Sequence, residues 1–279
     1  MMCRRKYFYK KLLGLKSRTG KVSANYGTCI HAGVGAFYMS QELPLQDRIA
    51  KAIAAFTEEW EHYGQQGDEK RSLIGGVTTL TEYCKAYGKD TATFLPTLIE
   101  ASQSIEMPNG TVLIVRIDRV AKDGVSDTTT IFDTKTCSMA FTDYYFRQYE
   151  NNFQQSAYWY VVDSILGGTV DCSILDFIKV PYSTGKSRST GQPVENFVRR
   201  SYLRSDLQLE EFLNTYKRLT EEILSNAASE DAAKFPQCPT ACGNYGGCEY
   251  LPVCKYGYSH PAVKVDFVME KEAECEGQD

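Results

Sequence analysis

The sequence lacks any long apolar run: nothing in its 279 residues approaches the roughly 20 residues that cross a bilayer. Leu12-Leu13-Gly14-Leu15, behind a basic start, is too short for a signal-peptide core. These absences give the expectation of a cytoplasmic chain with no membrane partner. The sequence also lacks an excess of positive charge: 31 Lys and Arg stand against 35 Asp and Glu, a net of -4. Contact with nucleic acid must then use a local basic patch rather than the overall balance. Although there are ten cysteines, no C-x-x-C knuckle occurs, which argues against a typical zinc finger.

What is present centres on residues 112–137, VLIVRIDRVAKDGVSDTTTIFDTKTC. An apolar strand (Val112 to Ile117) ends on Asp118, a polar turn spans Ala121 to Asp127, and a β-rich return strand (Thr128 to Phe132) ends on Asp133. Lys135 follows two residues later, on the same strand face as Asp133. Two carboxylates suit a hard cation such as Mg2+ or Mn2+. Such an ion polarises a phosphoryl oxygen and acidifies a bound water, while an ammonium offsets developing charge. Taken alone, the D-x-K tripeptide fits a surface hairpin with an Asp–Lys pair better than a site, and its neighbours reverse that balance.

The flanking segments supply the frame. At 43% apolar residues the chain has material for a core, as one large domain or two small ones. A helix opens at Gly27 with Thr28 as its N-cap and His31 in the first turn. Amphipathic helices are expected over 45–63 and 69–88. An extended segment, Thr97 to Glu106, carries Glu100 as the more interesting acid and Glu106 as the alternative. A single helix is expected from Asp143 to Leu166; Gln154 and Tyr158 lie one turn apart on it, as a core pair or as groove lining for a base or sugar. Val170 to Val180 and Phe197 to Leu203 read as strands. The second carries Arg199 and Arg200 as a basic face, and the loop between them holds Lys186 and Arg188. Residues 235–257 crowd Cys238, Cys242, Cys248 and Cys254 together, a spacing compatible with an iron–sulphur cluster or structural zinc. The boundaries implied are 1–22 for an N-terminal segment, 23–234 for the core, 235–262 for the cysteine region and 263–279 for a frayed acidic tail in which Cys275 is no ligand. The basic run Arg4-Arg5-Lys6 is either an ordinary solvated end or faces a phosphate backbone.

Together these segments resemble the PD-(D/E)XK nuclease superfamily, in the RecB-like branch of iron–sulphur nucleases associated with CRISPR systems and phage exonucleases. Cys3-Arg-Arg-Lys-Tyr, Gly27 to His31, Ile117-Asp118-Arg119-Val120, Asp133-Thr134-Lys135-Thr136, Gln154 to Tyr158, and Cys242, Cys248 and Cys254 follow the branch's motifs in order. Arg4 replaces a usual proline, Val115 a usual glycine, and Cys238 is an extra thiol. The resemblance implies a restriction-endonuclease-like α/β (α+β) core, a central mixed sheet of αβββαβ topology flanked by helices. It implies Mg2+ or Mn2+ held by His31, Asp118, Asp133 and the Thr134 carbonyl, with Lys135 positioning water and Glu100 assisting. Gln154, Tyr158 and Arg119 would contact substrate. A 4Fe–4S cluster on Cys3, Cys242, Cys248 and Cys254 would join the chain ends. The implied activity is exonucleolytic hydrolysis of DNA, single-stranded or at duplex ends, beside a helicase, recombinase or CRISPR adaptation complex. A catalytically silent DNA-binding subunit and a zinc-stapled interaction module are the competing readings.

Overall fold

The computed structural model describes residues 3–270 apart from 19, 66, 169, 188–189, 230 and 244–246; Arg188 and Cys275 lie outside the described residues. In chain order the helices and strands are α1 (Arg4–Tyr7), β1 (Leu15–Ser17), α2 (Val22–Met39), α3 (Leu45–His62), α4 (Leu73–Ala86), β2 (Phe94–Glu106), β3 (Val112–Asp123), β4 (Thr129–Cys137), α5 (Asp143–Arg147), α6 (Phe153–Leu166), β5 (Val170–Lys179), β6 (Phe197–Tyr202), α7 (Asp206–Asn226), α8 (Leu251–Tyr256), α9 (Pro261–Asp266) and β7 (Phe267–Met269). They divide into two compact units, Val22–Asn214 and the combined segments Met1–Lys21 and Thr215–Asp279.

A five-stranded mixed sheet, in the order β2-β3-β4-β5-β6, organises the Val22–Asn214 unit. β2, β3 and β4 form an antiparallel meander; β5 returns parallel to β4, placing Leu175 beside Asp133, and β6 closes the edge antiparallel. This is the mixed α/β architecture expected of a restriction-endonuclease-like core, with β6 added to the αβββαβ order. The central strand β4 is buried from Thr129 to Thr134, where β-branched residues fit a pleat covered on both faces. Aromatic and aliphatic side chains of α2, α3 and α4 (Phe37, Tyr38, Phe56, Leu80 and Tyr83) pack with Ile178 and Val180. Tyr158, Trp159, Val161 and Val162 of α6 cover Val115, Ile117, Val120 and Ile131. Each such side chain contributes about 1.5–3 kcal/mol on full burial.

Several local expectations change. Helix α2 starts at Val22, so Thr28 lies inside it, its hydroxyl donating to the Ala24 carbonyl at 3.3 Å, and His31 falls in the third turn. The stretch Asp143 to Leu166 is two helices, because the Asn152 side chain accepts the Gln154 N–H at 2.8 Å and caps a new start. β3 runs on through Ala121 to Asp123, leaving a shorter turn. Strand β6 has no basic face: Arg199 pairs inward with Asp90 and Asp176, at 2.7 and 3.0 Å, while its neighbour Arg200 is exposed.

In the other unit β1 and β7 pair antiparallel, Leu15 opposite Met269, over a cluster of Phe8, Tyr9, Phe235, Tyr250, Val263 and Phe267. Residues 263–270, expected in a frayed tail, supply α9 and β7. The basic run is tied down internally: Arg4 pairs with Glu222, Arg5 donates to the Phe235 carbonyl and Lys6 pairs with Glu249.

Candidate active site

Glu100 and Asp118 occupy facing positions on β2 and β3, between the paired rungs Ile99–Arg119 and Ala101–Ile117. Both strands lose their alternation here. Leu98 and Ile105 join the same hydrophobic cluster although they are seven residues apart, and Ile117 and Val120 join it although they are three apart. A regular strand places same-face residues at even separations, so the alternation of each strand slips by one residue across this stretch while their pairing register holds, its one shift lying earlier, between Pro96 and Leu98. The Glu100 backbone takes up the slip with a φ of 47°, a left-handed conformation costly for a side chain with a Cβ. Helix α2 crosses closely because Gly35 lacks a Cβ: one there would sit 2.9 Å from the Glu100 Cγ.

The result is one imidazole and two carboxylates, His31, Glu100 and Asp118, with ligand atoms all within 4.8 Å of one another. Asp118 Oδ2 accepts the Thr134 N–H at 2.7 Å and lies 3.2 Å from His31 Nδ1. Beside them Lys135 Nζ donates to Asp133 Oδ1 and to Gln154 Oε1, both at 2.9 Å. His31, Glu100, Asp118 and Lys135 line a groove of about 610 Å³ together with Gly27, Arg116, Thr134 and Tyr158, whereas Asp133 is buried and is not part of its wall.

The electrostatics separate the acids. Burial pushes the Asp118 carboxyl up, but the His31 imidazolium and its hydrogen bond, the Thr134 N–H and Lys135 together hold it below its ordinary value. Asp133, 1% exposed, is pushed up to about 6 by burial and by Asp118, against the pull of Lys135 and His31. Burial and Asp118 raise Glu100, with His31 and Arg116 opposing. Burial lowers His31, yet the three surrounding carboxylates carry it above the usual imidazole value.

The structure thus brings together His31, Glu100, Asp118, Asp133, Thr134, Lys135, Gln154 and Tyr158. Glu100 rather than Asp133 completes the tight three-residue group, while Asp133 is held by Lys135 and by Gln155. Glu106 ends β2, outside that group. Arg119, expected at the substrate, is 3% exposed; its guanidinium lies 3.6 Å from the centroids of both the Tyr38 and Phe132 rings, so it is a core residue. Gln154 bridges Lys135 and the Tyr158 hydroxyl, to which it donates at 2.7 Å. Two residues went unread in the sequence. Gln155 donates to Asp133 Oδ2 at 2.6 Å and accepts from Ser173 Oγ at 2.7 Å. Its signal was the Gln154-Gln155 doublet, since adjacent helical residues point about 100° apart and address two targets. Arg116 pairs with Glu100 Oε2 at 3.0 Å; it lies two residues before Asp118.

The donor set fits a divalent cation: carboxylate oxygens and one imidazole, partly open to the groove, suit Mg2+ or Mn2+. Elsewhere in the chain, among the described residues, no three cysteine sulfurs lie within 4.8 Å of one another. The Cys238 N–H donates to Cys3 Sγ at 3.3 Å and the Cys248 N–H to the Cys242 carbonyl at 2.7 Å. Burial raises the Cys254 thiol; Arg5 opposes, and the Cys248 and Cys3 sulfurs add to the rise.

A mixed sheet that carries an acidic cluster and an Asp–Lys pair at the mouth of one groove defines the class. The sequence matches the PD-(D/E)XK nuclease superfamily over residues 1–255, and the chain belongs to that superfamily. It is a nuclease by family, and DNA is the substrate class the family implies. No curated protein matches the sequence. Among solved structures the chain resembles a "putative exonuclease" from Eubacterium rectale, with TM-score 0.52 and 13% identity, over 83% of this chain and 76% of that one. The structure of SSO0001 covers 72% of this chain and 75% of its own at 13% identity and TM-score 0.32. At such identity the first likeness speaks for the fold alone.

Proposed function

We propose that this protein is a divalent-metal-dependent DNA exonuclease. The observation that carries the reading is the convergence of His31, Glu100 and Asp118 in one groove with Lys135, whose ammonium the buried Asp133 holds. His31, Glu100, Asp118, Asp133 and the Thr134 carbonyl would hold Mg2+ or Mn2+. When bound, the cation supplies a Lewis acid for a phosphoryl oxygen and lowers the pKa of water. Lys135, fixed between Asp133 and Gln154, orients the attacking water with an ammonium already desolvated on one side. Gln155 and Ser173 hold the Asp133 carboxylate toward Lys135 from beneath. Tyr158 offers an aromatic edge at the groove wall. The exonuclease part of the reading goes beyond the fold shared with the Eubacterium rectale protein named "putative exonuclease" and rests on the cleavage test.

Cys3, Cys242, Cys248 and Cys254 would carry a 4Fe–4S cluster. In support, Cys3, Cys248 and Cys254 lie within electrostatic reach of one another in one unit, and thiolates gathered in this way can each bind a separate iron of such a cluster. A helicase, a recombinase or a CRISPR adaptation complex is the kind of partner such a nuclease serves.

The test is DNA cleavage with and without a chelator, and with Asp133→Ala. Loss of cleavage in both cases, with an unchanged circular dichroism spectrum, is the expected result. Retained cleavage by purified Asp133→Ala protein overturns the assignment.

A further inference from the structure

We infer that Arg116 is a phosphate-binding residue of the groove, parked on Glu100 until a cation claims that carboxylate. The inference rests on the nuclease reading above and adds a substrate contact to it. The groove is acidic where a polyanion must enter: Glu59, Glu100 and Asp118 all line it. Among its described lining residues the permanently charged cations are Lys135 and Arg116. Lys135 is committed, its ammonium held by Asp133 and Gln154 and its side chain only 22% exposed.

Arg116 differs in each respect. Its side chain is 68% exposed, and it is held through an ion pair with Glu100 Oε2 at 3.0 Å. Glu100 itself belongs to the three-residue group whose donors converge as ligands. A cation on that group draws on the charge that now holds Arg116. The freed guanidinium stays in the groove and presents a planar fork that matches two phosphate oxygens. Position adds to this. Arg116 precedes Asp118 by two residues on β3, on the near side of the rung where the strand slips, so the strand that fixes the acid also fixes the reach of the guanidinium. One residue would then neutralise Glu100 before the cation binds and contact the nucleic-acid backbone afterwards.

The test uses the full chain with Mn2+ and a labelled single-stranded oligonucleotide. Binding is read by anisotropy across a salt series in a Lys135→Ala background, which separates binding from cutting. Adding Arg116→Ala is expected to weaken binding about ten-fold and to flatten the log–log salt slope by about 0.7, the value of one phosphate contact on a single strand. Arg116→Lys is expected to retain the slope and lose part of the affinity. Mn2+ titrated into Arg116→Ala protein without DNA should bind at least as tightly as to wild type, since a competitor for Glu100 is gone. An unchanged DNA affinity and slope overturns the inference. Weaker Mn2+ binding also overturns it, by making Arg116 a prop of the metal site. If wild-type protein neither binds nor cuts DNA, the nuclease reading falls and the inference with it; cutting by wild type with an indifferent Arg116→Ala variant defeats this inference alone.

Discussion

Glu100 faces Asp118 where the inward–outward alternation of β2 and β3 slips although their register holds, and both carboxylates converge there with His31. The cost is a left-handed backbone at Glu100, accepted where the surrounding sheet fixes it. The site is therefore built by the hairpin's irregularity as much as by its acids.

Gly35 makes room for that arrangement. A Cβ there meets the Glu100 Cγ at 2.9 Å. Gly35→Ala is expected to lower Mn2+ affinity by about ten-fold, equivalent to about 1.4 kcal/mol, while thermal stability barely changes. The gain of about 1 kcal/mol from replacing a helical glycine offsets the crowding. Calorimetric titration and a melting curve on the same protein check both halves.

Arg119 tests the corrected assignment. Its guanidinium is stacked between Tyr38 and Phe132, 3.5 Å from Asp90. Arg119→Ala should cost about 2–5 kcal/mol of stability through the lost stacking and the cavity left between the two rings; Asp90 keeps its partners Arg199 and Tyr38. At a temperature where the variant stays folded, its KM for DNA should match wild type. A raised KM with normal melting would return Arg119 to the substrate.

Acid stability follows from the same network. Burial raises Asp90, but its hydrogen bonds and charge pairing with Arg199, with help from Tyr38 and Arg119, hold it below the ordinary carboxylate value. A depressed folded pKa contributes stability above the unfolded value and loses it as pH falls through the folded one. Melting temperature should drop as pH falls below about 4, and Asp90→Asn should flatten that part of the profile.

Asp133 has the opposite sign. Its folded pKa is raised to about 6, so the ionised form costs the fold stability. That cost is absent below the unfolded value and grows as pH rises through about 6. Mn2+ competes with the proton there, so metal affinity should fall as pH drops through about 6. Titrations at several pH values check this: Asp133→Asn is expected to remove the part of the dependence near pH 6 and to leave the part set by His31, whose raised imidazole must also lose its proton to bind the ion.

Much of this was legible. The β-branched run Thr128 to Ile131 announced β4, and D-x-K on it announced the Asp133–Lys135 pair that the fold realises at 2.9 Å. The slip was not read, although the three-residue gap between Ile117 and Val120 encodes it, because alternation is normally counted over whole strands. Helix limits failed where polar residues mislead. Thr28 looks like a cap but bonds back to Ala24, and Asn152 starts a helix inside a continuous apolar stripe. Arg119 was misplaced because a strand neighbour of a candidate ligand can face either way, and only packing against Tyr38 decides it.

The cysteine proposal is checked by colour. Anaerobically purified protein should absorb near about 400 nm through thiolate-bound iron. Cys254→Ser should bleach that band, and Cys238→Ser should leave it. A colourless protein containing stoichiometric zinc contradicts the cluster.

The most direct measurement is cleavage of end-labelled single- and double-stranded DNA by the intact protein with Mn2+, run beside Lys135→Ala. The predicted result is a product ladder from the wild type that shortens from an end, and at least about a hundred-fold less product from the variant, as loss of a positioned catalytic group gives. Equal cutting by both proteins, or none by a well-folded, metal-loaded wild type, would contradict the active site assigned to this groove.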